Sequence, residues 1–118
     1  MAVTHNKFLT FVLANETYGI PILKVKEIIG LMTITHVPQM PYYVRGVINL
    51  RGKIIPVVDL RLKLGMAERD YDDRTCFIVT EIQTPTETKL IGLIVDMVSE
   101  VLEVPQASIE LPPSCETK

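Results

Sequence analysis

The chain has no tryptophan, two cysteines, two histidines and almost no net charge, 12 basic residues against 14 acidic ones leaving −2. Each scarcity excludes something. A chain this close to neutral exerts little pull on a polyanion, so no nucleic acid partner is expected. Aromatic residues at 6% supply no stacking platform for bases. Cys76 and Cys115 do not make a disulfide framework and read as one buried and one tail thiol of a reduced, cytoplasmic protein. His5 lies in the N-terminal tail and His36 in the strand-like run Ile34–Pro38, so no pair has zinc-ligand spacing. Nothing in the sequence favours a dyad of Cys76 and His36. Gly46 and Gly52 are the only close glycines, and no phosphate-cradling loop is present. Asp72-Asp73 is a carboxylate pair, but it sits in the mixed-charge stretch Glu68–Arg74, which reads as a solvated loop. The expectation is a protein without catalytic residues, metal or cofactor.

Long apolar runs are also missing. Asn, Arg, Lys, Pro or Asp breaks each run well short of the roughly eighteen residues of a membrane span. The opening Met1–Lys7 has no apolar signal-peptide core. No direct membrane insertion is expected.

What is present is globular: 118 residues, 47% hydrophobic and 22% charged. That suits a single domain, or two very small lobes sharing one core. The pattern is mostly strand. Phe8–Ala14 and Tyr18–Ile22 flank the polar Asn15-Glu16-Thr17 and predict a hairpin. Pro21 cannot donate to a ladder and belongs at an edge or a bulge. Leu23–Ile29 fits one helical turn or a strand, Met32–Val37 looks extended, and Tyr42–Val44 fits a single turn after the Pro38–Pro41 loop. Gly46–Gly52 and Lys53–Asp59 predict a second hairpin, turning at Arg51-Gly52 or Gly52-Lys53. Asp59 is placed to cap a short helix, Leu60–Leu64, that Gly65 closes. Thr75–Ile82 and Lys89–Asp96 predict a third hairpin with a longer loop, and Val98–Val104 alternates with period two until Pro105. Short strands at this spacing indicate an all-β barrel or pair of barrels.

An internal echo joins the two ends of this pattern. Gly19, Val25 and Glu27 are separated from Gly92, Val98 and Glu100 by one constant interval, each set following an apolar strand and a polar turn. A real echo means two related lobes; its ordinary alternative is that hairpins of small β proteins look alike. On the repeat reading, the counterpart of Gly46 falls one position past Lys118. The expectation is therefore a single domain over 1–118, C-terminally truncated, with lobe 1 built from about 7–30 plus the C-terminal part and lobe 2 from about 31–100. Unpaired edges left by missing strands would invite a homodimer or a strand swap.

Phe8–Leu13, Tyr18-Gly19-Ile20 and Ile22–Ile28 resemble the opening of CheW-like chemotaxis coupling domains. The resemblance sharpens over Val44–Arg61, which combines two glycines, a fixed proline, and Asn, Arg and Asp in one register. It continues through Gly92–Asp96 and Val98–Leu102 and runs from about Phe8 to Pro112, with an insertion-like loop at Gln83–Thr88. It implies two small five-stranded SH3-like barrels with short helical turns. It implies no catalysis. Members are adaptors that couple transmembrane chemoreceptors to the histidine kinase CheA, whose own regulatory domain is CheW-like. Kinase and adaptor pair barrel to barrel, and the receptor's helical tip lies in the groove between the lobes. The expected location is cytoplasmic, recruited to membrane receptor arrays.

A helix in a groove is held by apolar anchors and a few polar groups that fix register. Val25, Ile28 and Ile54 are candidate receptor-binding residues on this logic, although all three can be plain core and Ile28 and Ile54 read more readily as core than as contacts. Arg51 is a long cation at a hairpin turn inside an apolar block, so its head is expected in solvent; by resemblance it matches the family's receptor-contacting arginine. Glu27 suits a pairing with Arg51 or with a receptor cation, where a rim charge sets specificity and on-rate. Asn49 fits a contact or a buried hydrogen-bonded role. For the kinase, an exposed edge around Ile34, Val37 and the Tyr71-Asp72-Asp73 loop suits edge-to-edge joining.

The same block also occurs in CheW-like domains of larger CheV-type or CheA-type proteins; the position of Met1, just before the first strand, favours a stand-alone protein or an N-terminal domain. A small β-barrel enzyme or ligand binder would need a polar pocket with convergent titratable groups, and the sequence offers none.

Overall fold

The computed structural model describes residues 7–104. His5, Cys115 and the end of the family-like stretch at Pro112 lie outside the described residues. Eight strands carry the fold: β1 Lys7–Leu13, β2 Glu16–Pro21, β3 Val25–Gly30, β4 Val44–Leu50, β5 Lys53–Asp59, β6 Cys76–Gln83, β7 Thr88–Val95 and β8 Met97–Glu103. A 3-10 turn, Ile22–Lys24, precedes β3, and the one-turn helix α1, Leu60–Lys63, follows β5. The expected all-β class is therefore the observed one.

The strands form two sheets, ordered β2-β1-β8 and β3-β6-β7-β5-β4. All three expected hairpins are present. The β1–β2 turn falls at Ala14 and Asn15, both at positive φ, one residue earlier than the polar triplet suggests. At the β4–β5 turn Arg51 (φ 51) and Gly52 (φ 88) both lie in the left-handed region, the geometry that matches the twist of paired strands. Pro21 ends the outer strand β2. Pro56 lies inside β5, yet β7 pairs only with Val57–Asp59, so its missing N–H falls outside that ladder. The parallel β5–β7 pairing left no trace in the sequence pattern.

The two sheets exchange strands. β3 joins the five-stranded sheet beside β6, whereas β8 joins the three-stranded sheet beside β1. The helical turn at 22–24 redirects the chain before Val25, so residues 25–30 lie in the five-stranded sheet. Among the described residues the first sheet has three strands, not five.

The exchange of third strands makes the echo structural. β3 pairs with β6 through Val25↔Thr80 and Gly30↔Cys76; β8 pairs with β1 through Val98↔Phe11 and Glu103↔Lys7. Each ladder is interrupted near the start of its third strand.

Two apolar clusters follow from the period-two pattern of β5, β6 and β7. Ile48, Ile55, Val57, Phe77, Val79 and Ile94 fill the five-stranded sheet's inner face. Leu9, Phe11, Leu13, Ile78 and Val95 join the two sheets. β6 serves both, alternate residues entering opposite clusters. Beyond β3 the extended segment 31–37 sends Met32 and Ile34 into the first cluster and bonds to β4 through Thr35 and Val47, at 2.8 and 2.9 Å. That bridge brings the far edge of the sheet back to the chain that leaves its first strand. Gly46 permits it: a Cβ there would stand 2.1 Å from the Thr35 carbonyl oxygen.

Candidate functional site

β3 and the β4–β5 turn bring Glu27 and Arg51 together in an ion pair through Arg51 Nη2 and Glu27 Oε1. Leu50, Arg51 and Lys53 from the turn, Lys26 and Glu27 from β3, and Leu90 from β7 line one shallow cavity. The turn is fixed from within, because Asn49 Oδ1 accepts the Gly52 N–H at 2.9 Å. Asn49 is exposed, so its hydrogen-bonded role is a turn closure and not a buried one.

Ile28 and Ile54 are not core. Ile28 is 44% and Ile54 62% exposed. Ile54 shares a strand with buried Ile55 but points the opposite way, and opposes exposed Asn49. Ile28 sits on β3, which among the described residues pairs only with β6. Val25 is half-buried against the inter-sheet cluster and contributes to both core and surface.

The residues expected at an exposed kinase-facing edge divide. Asp72 and Asp73 are exposed and Val37 is half-buried. Ile34 and Tyr71 are half-buried as well, and both pack against the five-stranded sheet's core. Tyr71 is held inward because its hydroxyl donates to Asp59 Oδ2 at 2.8 Å and accepts from Arg45 Nε at 3.0 Å. Burial pushes the Tyr71 phenol up to about 12. Arg45 also pairs with Glu68, whose hydrogen bond raises the guanidinium further. Asp72 works inside its own loop, accepting the Arg74 and Thr75 N–H groups at 2.9 and 3.2 Å. The Arg74 N–H leads the effects holding its carboxyl below the ordinary range.

Asp59 caps α1 as expected, accepting the Arg61 and Leu62 N–H groups at 3.0 and 3.4 Å. Gly65 and Met66 close the helix through bonds to Leu62 and Arg61 carbonyls at 3.1 and 2.7 Å. Asp59 is only 2% exposed, so its carboxylate also needs the Tyr71 hydroxyl and Arg45, at 3.6 Å.

Two features went unread in the sequence. One is a groove where the sheets adjoin, lined by Ile20, Pro21, Leu23 and Lys24 on one side and Thr80–Gln83 on the other. The other is a bidentate pair of Arg61 with Asp96, at 2.8 and 2.7 Å. Its signal was available: a carboxylate ends the apolar run Leu90–Val95, and a guanidinium interrupts Leu60–Leu64. Among the described residues no cluster of three or more His, Cys, Asp or Glu side chains could hold a metal, and no helix is long and apolar enough to cross a membrane.

Two β-lobes that exchange strands, share a core and carry exposed apolar side chains beside an ion pair between β3 and the β4–β5 turn define a two-lobed all-β domain. A model of the CheW-like domain matches residues 7–118, and the chain belongs to that family. It is 41% identical over 107 residues to the chemotaxis protein CheW of Klebsiella aerogenes, covering 91% of this chain and 62% of that protein. It is 34% identical over 110 residues to the CheW of Bacillus subtilis, covering 93% of this chain and 68% of that protein. The crystal structure of the scaffolding protein TtCheW from Thermoanaerobacter tengcongensis superposes with a TM-score of 0.83 at 41% identity, over 95% of this chain and 74% of that one. The chain thus spans less than two thirds of the Klebsiella relative's length.

Proposed function

We propose that this chain is a non-catalytic chemotaxis adaptor, coupling the cytoplasmic tip of transmembrane chemoreceptors to the regulatory domain of the histidine kinase CheA. It works in the cytoplasm, recruited to receptor arrays at the membrane. Family membership supports the reading, as do relatives whose names are chemotaxis and scaffolding proteins. The observation that carries it is the Glu27–Arg51 pair on the surface, with Ile54 displayed in solvent on the strand that follows Arg51. Those elements offer an apolar anchor and a polar register mark to a helix. Val25, Glu27, Ile28, Arg51 and Ile54 are the receptor-facing residues of this proposal. Kinase contacts fall elsewhere, around Ile34, Val37, Tyr71, Asp72 and Asp73, of which the two aspartates are exposed. Among the described residues β2 is an edge strand, which offers a flank for a homodimer or strand swap.

The test is an NMR titration of the 118-residue chain, first with an isolated receptor-tip hairpin and then with the CheA regulatory domain. Shifts clustering at Val25, Glu27 and Arg51 with the tip, and at a separate set with the kinase domain, are expected. Silence in both titrations, or one shared footprint, would overturn the two-sided reading. Light scattering over a concentration series reads the homodimer directly.

A further inference from the structure

The chain passes between its two sheets at two places. The first passage is the turn Ile22–Lys24 between β2 and β3; the second is Asp96 alone, between β7 and β8. In the repeated pattern these places are equivalent, with Leu23 standing in the first block where Asp96 stands in the second. The chemistry of the two seams is opposite.

At the first seam no side chain caps the turn. Leu23 is 61% exposed and lines the open groove with Ile20, Pro21 and Ile82. At the second seam the Asp96 side chain is 10% exposed and both carboxylate oxygens are engaged. Oδ1 accepts Arg61 Nε at 2.8 Å; Oδ2 accepts Arg61 Nη2 at 2.7 Å, the Ala14 N–H at 2.9 Å and Arg69 Nη1 at 3.2 Å. The Asp96 N–H donates to the Val12 carbonyl at 3.1 Å. One residue is therefore bonded to β1 and its turn in the three-stranded sheet, to α1 at the end of β5, and to the charged loop before β6.

A planar guanidinium held fork to fork by a carboxylate fixes direction as well as distance. Close, partly buried charges are also screened little by salt. Hinges between rigid bodies consist of a few residues at the ends of elements, which describes both seams. Core packing through Leu9, Phe11, Ile78 and Val95 holds the sheets face to face but is non-directional. The directional contacts concentrate at Asp96. We infer that Asp96 and Arg61 are positioning residues that lock the angle between the two lobes at one seam, leaving the Leu23 seam as the side that opens. This sets the width of the Leu23 groove from the opposite end of the inter-sheet contact, and it stands independently of what binds there.

Residual dipolar couplings measured on the full chain test this. In the unmodified protein, amides of both sheets are expected to fit one alignment tensor. Asp96→Asn keeps the shape and removes the charge; Arg61→Gln removes the fork from the other side. In either folded variant each sheet is expected to retain its internal couplings, the common tensor is lost, and the largest shift changes fall at Ile20–Lys24. Leu23→Asp, which alters the open seam alone, is expected to keep one tensor. A change of stability without a change of orientation is what a merely structural pair would give. The inference is overturned if the unmodified chain already needs two tensors, or if folded Asp96→Asn or Arg61→Gln still fits one tensor in the original orientation. Unfolding of both variants also overturns it, because the pair would then hold the fold together and not its angle; if only one unfolds, the other decides.

Discussion

Arg51 and Glu27, 24 residues apart in sequence, meet as an ion pair that ties the β4–β5 turn to strand β3. The Arg51 side chain is 67% exposed, so the pair itself stabilises the fold by less than about 1 kcal/mol. Arg51 moreover occupies φ 51, a conformation that asparagine adopts more readily, and Asn-Gly is a favoured turn pair. Arg51→Asn is therefore expected to leave stability unchanged or raise it by up to about 1 kcal/mol in urea unfolding. Under the proposed function the same variant weakens binding of the receptor tip. Better folding with weaker tip binding would separate the two roles of one residue; unaltered tip binding would remove Arg51 from the site.

Charge reversal sharpens the comparison. Arg51→Glu sets two carboxylates against each other at an exposed turn, and surface changes of this kind usually move stability by no more than about 0.5 kcal/mol. Tip binding is expected to fall, mainly through a slower on-rate that depends on salt. Binding of the kinase regulatory domain is expected to stay within about twofold, or roughly 0.4 kcal/mol. Stopped-flow association at two ionic strengths reads both; equal loss of both partners would contradict the assignment.

Asp59 carries a different burden. Its carboxylate caps α1, accepts the Tyr71 hydroxyl and faces Arg45, all at 2% exposure. Asp59→Ala removes a helix cap worth about 1 kcal/mol and leaves the half-buried Tyr71 hydroxyl without its acceptor, at about 1–3 kcal/mol. A loss of roughly 2–4 kcal/mol by urea unfolding is expected. Tyr71→Phe removes only one hydroxyl and is expected to cost about 1 kcal/mol. If the two variants lose the same amount, the hydroxyl carries the network and the cap contributes nothing.

Much of this architecture was legible because strands of six to eight residues with period-two burial announce themselves, and Gly52, Asp59 and Gly65 punctuate them through backbone chemistry. The Glu27–Arg51 pairing was legible as one of two options. Ile28 and Ile54 read more readily as core and are exposed, for a physical reason: an isolated strand does not say which of its faces has a partner sheet, and β-branched residues suit both. The exchange of β3 and β8 was legible only as an echo, since strand pairing depends on contacts far apart in sequence. The half-buried place of Tyr71 was hidden by the charges around it in Glu68–Arg74, because the groups that hold its hydroxyl, Asp59 and Arg45, lie 12 and 26 residues away in sequence.

Gly46 and Gly52 belong to the same hairpin and both sit at positive φ, but their surroundings differ. A Cβ on Gly46 would lie 2.1 Å from the Thr35 carbonyl oxygen, while nothing stands within 4 Å of one on Gly52. Gly52→Ala is expected to cost about 1 kcal/mol from backbone strain alone. Gly46→Ala must break the Thr35–Val47 bridge and detach segment 31–37 from β4, for more than about 3 kcal/mol. Thermal unfolding of both variants distinguishes them, and similar melting temperatures would show that segment 31–37 yields freely.

Acid should expose Asp96. Arg61's hydrogen bonds hold its carboxyl below the ordinary carboxylate range, helped by the Ala14 N–H and by Arg69. In the unfolded chain the same group titrates near about 3.9. Between the two values the unfolded chain binds a proton that the folded chain refuses, so stability falls as pH falls. The contribution is complete above the unfolded value and is lost as pH drops through the folded one. Asp96→Asn removes that titration. The advantage of the unmodified chain over the variant is therefore expected to be constant from pH 7 to about pH 5 and to shrink below about pH 4. Urea midpoints at pH 7, 5, 4 and 3 measure it. A constant difference throughout would mean that Asp96 titrates alike in both states, which a carboxylate clamped by Arg61 cannot do.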